Sequence, residues 1–145
     1  MSVISMLAWC GHDLIKHLRN TYTLVVNPGG YEYRDRVNVD LLKREVDTIA
    51  ARLSKILGMD RELAEEVLAV SAYLHDVGKA VGYYQNILQS QCGEDEGRIS
   101  LKGHELVSMW VAYHVFNTLN VKHKEPFLAG IALHHSARRS IDEAY

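Results

Sequence analysis

The chain has 145 residues, 48% of them apolar and 23% charged, with a formal net charge of −2. That length fits one domain with a real core, and the composition excludes a disordered or fibrous chain. No apolar run is long enough to cross a membrane, and mild acidity argues against holding nucleic acid by bulk charge alone.

The apolar start, Met1–Cys10, has no basic residue before it and no clear small-residue cleavage pattern, so it is not expected to be a signal peptide. Met1–Tyr22 is compatible with helix. Weak strand signals fall at Thr23–Val26, and Asn27-Pro28-Gly29-Gly30 is the clearest turn, around which a short hairpin fits within Tyr22–Val37. A strong helical period follows, with Leu42, Val46, Ile49, Leu53, Ile56 and Leu57 on one face. Gly58 closes that helix and Asp60 caps the next. Its inward face is Leu63, Val67, Val70, Ser71 and Leu74, and it ends at His75-Asp76-Val77-Gly78. A further helix is expected over residues 79–89, and a surface loop over 90–100. Gly103–Leu119 reads as a helix with Leu106, Val107, Trp110, Val111 and His114 inward. Pro126 suits the first turn of a last helix ending at His134-His135. The expected fold is all-α, a bundle of helices around one core over residues 1–145, with a short hairpin in the N-terminal third.

Two cysteines, Cys10 and Cys92, make neither a framework nor a metal pair, which fits a reducing, cytoplasmic setting. The eight histidines carry more information, being enough to ligate two metal ions. His75-Asp76 sits at a helix end, and neighbouring side chains there diverge by about 100°, so the pair can flank one metal or bridge two. His134-His135 lies at a second helix end, His104 starts a third helix, and His17 lies on the first. These positions are about 30 to 60 residues apart, a spacing suited to ligands converging from separate helices. Imidazole with carboxylate suits Zn, Mn, Fe, Co or Ni better than Ca.

The run Ala72-Tyr73-Leu74-His75-Asp76-Val77-Gly78-Lys79-Ala80 resembles the HD metal-dependent phosphohydrolase superfamily. Its surroundings resemble one branch, the HD nuclease of type I CRISPR interference. That branch has a His-Asp-x-Gly-Lys core followed by an aromatic-Gln pair, here Tyr84-Gln85. It also has an early His-Leu (His17-Leu18), a His-x-x-x-Ser (His104, Ser108) and a double histidine (His134-His135). The ordered set spans about residues 7–140.

The resemblance implies a first metal on His17, His75 and Asp76, and a second on His104, His134 and His135, with Asp76 bridging. One or two divalent ions (Mn, Ni, Co, Fe, Mg or Zn) would activate water and neutralise the phosphodiester as charge builds. Lys79, three residues after Asp76, is expected to contact the scissile phosphate or leaving oxygen. Ser108, one turn after His104, is a candidate to bond a phosphate or orient a ligand. Arg138 and Arg139 are candidates to grip backbone phosphates, with Lys102, Lys122 and Lys124 extending that surface. Tyr83, Tyr84 and Trp110 are candidates to stack bases, although core packing suits Trp110 better. His12, His114 and His123 fit no motif and are expected to be structural or at the surface, His12 being the substitute for His17.

The superfamily's distal aspartate finds no counterpart. Asp142, the only aspartate after the double histidine, lies too close to it. Either the sequence is a piece of a longer chain that carries that aspartate, or the first metal is held by fewer ligands, and on both readings one firmly held metal and one labile metal are expected. No GxxxxGK[ST] loop is present, so the chain is not expected to be the ATP-driven helicase. The implied partners are single-stranded DNA, a separate CRISPR helicase subunit and the guide-RNA target-recognition complex, with no membrane. Two other functions share these residues: an HD phosphohydrolase acting on nucleotides or cyclic nucleotides, and a non-catalytic docking module.

Overall fold

A computed structural model describes residues 5–92 and 99–135. In these residues six helices carry the fold: α1 (Leu14–Val26), α2 (Val39–Leu57), α3 (Arg61–Leu74), α4 (Gly82–Gln91), α5 (His104–Thr118) and α6 (Glu125–Ala132). The all-α expectation holds. None of the described helices is long and apolar enough to cross a membrane.

Local chemistry sets the helix ends. Asp13 caps α1 by accepting from the Lys16 N–H at 2.7 Å, and Asn38 caps α2 through the Leu41 N–H at 3.0 Å. Gly58 ends α2 at φ 65°, a left-handed conformation that favours glycine, and Asp60 caps α3. Pro126 lies in the first turn of α6.

The hairpin is nearer the N-terminus than the turn signal suggested. Leu7–Trp9 (β1) pairs antiparallel with His12–Asp13 (β2), and Gly11 takes φ 74° in the turn. The stretch after Asn27 folds instead as two short 3-10 turns, Pro28–Gly30 and Arg34–Arg36. Thr23–Val26 is the last turn of α1, because its apolar side chains continue that helix. The segment after α3 is a 3-10 turn, Val77–Ala80, before α4 begins at Gly82. Of the expected 90–100 loop, residues 93–98 lie outside the described residues.

Two apolar clusters hold the bundle. The larger joins α2, α3, α5 and α6 through Ala50, Val67, Leu74, Phe116, Phe127 and Ile131. The smaller joins the hairpin to α1 through Ala8, Leu14 and Leu18. Tyr73 and Val77 pack against both. On α2 the centre of the buried face is Ala50, while Ile49 and Ile56 are exposed; on α3, Leu63 is exposed. The inward face of α5 is also rotated from the expected one. His104, Glu105, Ser108, Ala112 and Phe116 are buried, while Leu106, Trp110 and His114 are exposed.

Cys10 and Cys92 form a disulfide, contrary to the expectation from their number. It ties the hairpin turn to the end of α4 across 82 residues of sequence, so the cysteine count gives no argument for a reducing compartment. Cross-linking so long a loop restricts the unfolded chain and is worth about 2–4 kcal/mol. Reductant, or Cys10→Ser, should lower the thermal midpoint by roughly 5–15 °C for a chain of this size. An unchanged melting curve in reductant would show that the thiols are unpaired in solution.

Candidate metal centre

Asp76 is 4% exposed, and each of its carboxylate oxygens faces a different group of histidines. Oδ1 lies 3.0 Å from Nε2 of His104 and 3.2 Å from Nε2 of His134. His135 joins that group, its Nε2 being 3.1 Å from that of His104. Oδ2 lies 3.0 Å from Nε2 of His17 and 3.3 Å from Nε2 of His75. Lys79 Nζ stands 3.1 Å from the same oxygen. Asp76, His104, His134 and His135 form one group that could hold a metal ion, and His17, His75 and Asp76 form another.

Helix ends explain how the imidazoles are aimed. His75 Nδ1 lies 2.6 Å from the Ala72 carbonyl, His104 Nδ1 2.6 Å from that of Leu101, and His134 Nδ1 2.6 Å from that of Ile131. A carbonyl only accepts, so Nδ1 carries the proton and Nε2 is left with its lone pair toward Asp76. Ala72 belongs to the last turn of α3, where helix carbonyls lack intrahelical partners, while the Ile131 carbonyl, in the last turn of α6, also accepts the Leu133 and His134 N–H groups. At Ala72 the same bond therefore satisfies a helix end and fixes a tautomer, as outer partners of metal-binding histidines do.

The donor set fits a divalent cation. Neutral Nε2 lone pairs aimed at a carboxylate, and at one another, repel unless protons or a cation lie between them. Nitrogen and oxygen ligands bound at about 2.0–2.2 Å in tetrahedral or octahedral array stand about 2.9–3.5 Å apart. The separations of 3.0 to 3.3 Å around Asp76 fall in that range.

Burial pushes the Asp76 carboxyl up, but where no cation stands among them, protons on Nε2 of His104, His134, His17 and His75 bond to it and hold it well below the usual carboxylate range. Burial works to lower His134, yet its bond to Asp76 leaves it raised. His135 is pushed down to about 4 by burial and by the charges of His134 and His104.

The motif's other residues build the frame. Gln85, buried on α4, accepts the Leu7 N–H at 2.8 Å and donates to the carbonyls of Leu7 (2.9 Å) and Lys79 (2.6 Å). It thus clamps β1 to the turn after Asp76. The Tyr84 hydroxyl donates to the Lys102 carbonyl at 3.0 Å and steadies the turn that presents Leu101 to His104. Ser108 is fully buried, and its hydroxyl accepts the Gly78 N–H at 2.8 Å. It therefore joins the His-Asp turn to α5. Lys79 is buried beside Asp76. Arg138, Arg139 and Asp142 lie outside the described residues. Of the base-stacking candidates, Tyr84 is buried, Trp110 is exposed beside His114 on α5, and Tyr83 is exposed beside Tyr84. His12 is exposed on β2 and His123 in the turn before α6. One neighbour escaped the sequence reading: Trp9, whose ring lies 4.9 Å from that of His17. Its only signal was its place shortly before an early histidine, which no periodicity marks.

The family model described as "Cas3, HD domain" matches residues 36–144. The chain belongs to that family, and so to the HD superfamily of hydrolases in its CRISPR Cas3 form. No curated protein and no solved structure matches the chain.

The close packing of Gly78 makes a test of the frame. A Cβ there would strike the His104 carbonyl oxygen and stand 2.8 Å from the Ser108 nitrogen. Gly78→Ala should cost roughly 1–3 kcal/mol of stability by overpacking and weaken binding of added Mn²⁺ in calorimetric titration. Unaltered stability and Mn²⁺ affinity would show that the His-Asp turn and α5 are not held in register by this contact.

Proposed function

We propose that this protein is a metal-dependent nuclease that hydrolyses phosphodiester bonds of single-stranded DNA in CRISPR interference, acting with a separate helicase subunit and a guide-RNA target-recognition complex. The observation that carries this reading is the division of the Asp76 oxygens between two histidine groups. His17, His75 and Asp76 would hold one divalent ion, and His104, His134, His135 and Asp76 a second. Such a pair supplies positive charge that acidifies an attacking water and neutralises the phosphodiester oxygens. It offsets the mild acidity that otherwise argues against a nucleic-acid substrate.

The protein's own groups do the positioning. Asp76 fixes the distance between the two groups because one rigid carboxylate serves both. Lys79 holds its ammonium against Oδ2 and is placed to donate to a phosphate oxygen drawn to the centre. His135 is neutral above about pH 4, and so offers its lone pair without first losing a proton. Arg138 and Arg139 are assigned to the backbone phosphates on either side.

The four-residue group should bind more tightly than the three-residue one. Titration with Mn²⁺ should show two classes of site. His17→Ala should remove the weaker and His135→Ala should weaken the stronger. A single class unaffected by either variant would overturn the pairing.

The activity test offers Mn²⁺- or Ni²⁺-loaded protein a labelled DNA single strand, deoxynucleoside triphosphates and cyclic dinucleotides in parallel. The strand should be degraded. Asp76→Asn should lose more than the roughly 10- to 100-fold that removal of an outer partner costs, together with bound metal. Lys79→Met should lower kcat while metal content is retained. Turnover of free nucleotides alone would make the protein a nucleotide phosphohydrolase, and a folded, metal-loaded, inert protein would make it a docking module.

A further inference from the structure

Trp9 stands at the edge of the metal centre with 43% of its surface exposed. Its ring centroid is 4.9 Å from that of His17 and 4.7 Å from that of His12, and the Lys79 ammonium sits 5.6 Å from it. A large aromatic that touches an invoked ligand and a buried cation, yet stays open to solvent, is not there to fill the core. We infer that Trp9 is a nucleobase-stacking subsite, receiving the base next to a phosphate held at Asp76 and Lys79. This inference rests on the nuclease reading above and deepens it, because it selects the strandedness of the substrate.

Two observations and one general constraint support the assignment. The indole belongs to a backbone that is already fixed. Gln85 holds both the N–H and the carbonyl of Leu7, the Leu14 N–H donates to the Met6 carbonyl at 2.8 Å, and Cys10 is tied to α4 by its disulfide. Little ordering entropy is then left for binding to cost. Second, Lys79 joins the two functions in space, its ammonium being 3.1 Å from Asp76 Oδ2 and against the Trp9 ring. A nucleotide whose phosphate meets Lys79 therefore has its base one sugar away, within reach of the indole. Third, a base is free to stack on a protein ring only when it is out of a duplex. Such stacking accepts any base, since every base has a π-face. The subsite therefore selects single strands without reading sequence.

The test measures binding rather than cleavage. It uses Mg²⁺-loaded protein, a phosphorothioate oligothymidylate and a matching oligomer of abasic sugar phosphates. In a Trp110→Phe background Trp9 is the sole tryptophan. Its emission should be quenched by the thymidylate and not by the abasic oligomer. The thymidylate should bind more tightly by roughly 5- to 150-fold, the range for one stacked base. Trp9→Leu keeps apolar bulk without a π-face and should bring that ratio close to one, while Trp9→Phe should keep part of it. A variant that only loosens the hairpin weakens both oligomers alike and leaves the ratio alone. An equal ratio in all three proteins, unquenched emission, or no binding of either oligomer would overturn the inference. A ratio that depends on Trp9 in a protein that cuts no DNA strand would keep the subsite and discard the nuclease.

Discussion

Asp76 keeps a negative charge where water scarcely reaches, and the rest of the molecule is arranged around that cost. An isolated buried carboxylate would take up a proton. Here four imidazoles and an ammonium stand within about 3.3 Å of its oxygens, and the carboxyl is held ionised. For at least three of the imidazoles the proton that could answer the charge is committed elsewhere, to a main-chain carbonyl behind the ring. The arrangement is balanced only by positive charge placed among the nitrogens. Protons on the imidazoles can supply that charge, and so can a cation held by the same nitrogens.

The supporting bonds give reasons for residues that a motif merely names. The glycine after the His-Asp pair permits the turn to lie against the first turn of α5. The serine four residues after His104 receives that glycine's N–H. The glutamine after the aromatic fastens the N-terminal strand to the same turn. Each of these polar side chains bonds main chain. They are spaced widely in sequence because each ties one of the separate segments that deliver a histidine.

What could be read from the sequence, and what could not, divides along physical lines. Helices α2 and α3 were legible in extent because their apolar residues recur with helical period and Gly58 and Asp60 mark their ends. The six residues now grouped around Asp76 were legible as a set, since motif order survives in one dimension. The orientation of α5 was not. Apolar side chains fall all round that helix, so periodicity had no direction to give, and the buried face was chosen by small and polar residues packed on the His-Asp turn. The hairpin was expected but set too late in the chain, because strands of three and two residues are too short to show alternation and the clearest turn signal, at Asn27–Gly30, belongs to a 3-10 turn. The disulfide escaped because two cysteines 82 positions apart announce no pairing until the chain is folded.

The two halves of the centre rest on unequal foundations. His104, His134 and His135 are carried by α5 and the end of α6, which the larger apolar cluster anchors through Phe116, Phe127 and Ile131. His17 is carried by α1, whose own anchor is the small cluster of Ala8, Leu14 and Leu18. A small apolar cluster resists displacement less, because fewer buried contacts are lost when it shifts. The extra fastenings of the fold gather on that weaker side: the Gln85 clamp, the cap on α1 and the disulfide all act on the hairpin or on α1. Asp76 lies between, flanked in sequence by Tyr73 and Val77, which pack against both clusters. A three-residue group on the lighter foundation and a four-residue group on the heavier one differ in stiffness as well as in ligand number. Both differences favour the α5–α6 side in the two-ion reading proposed above.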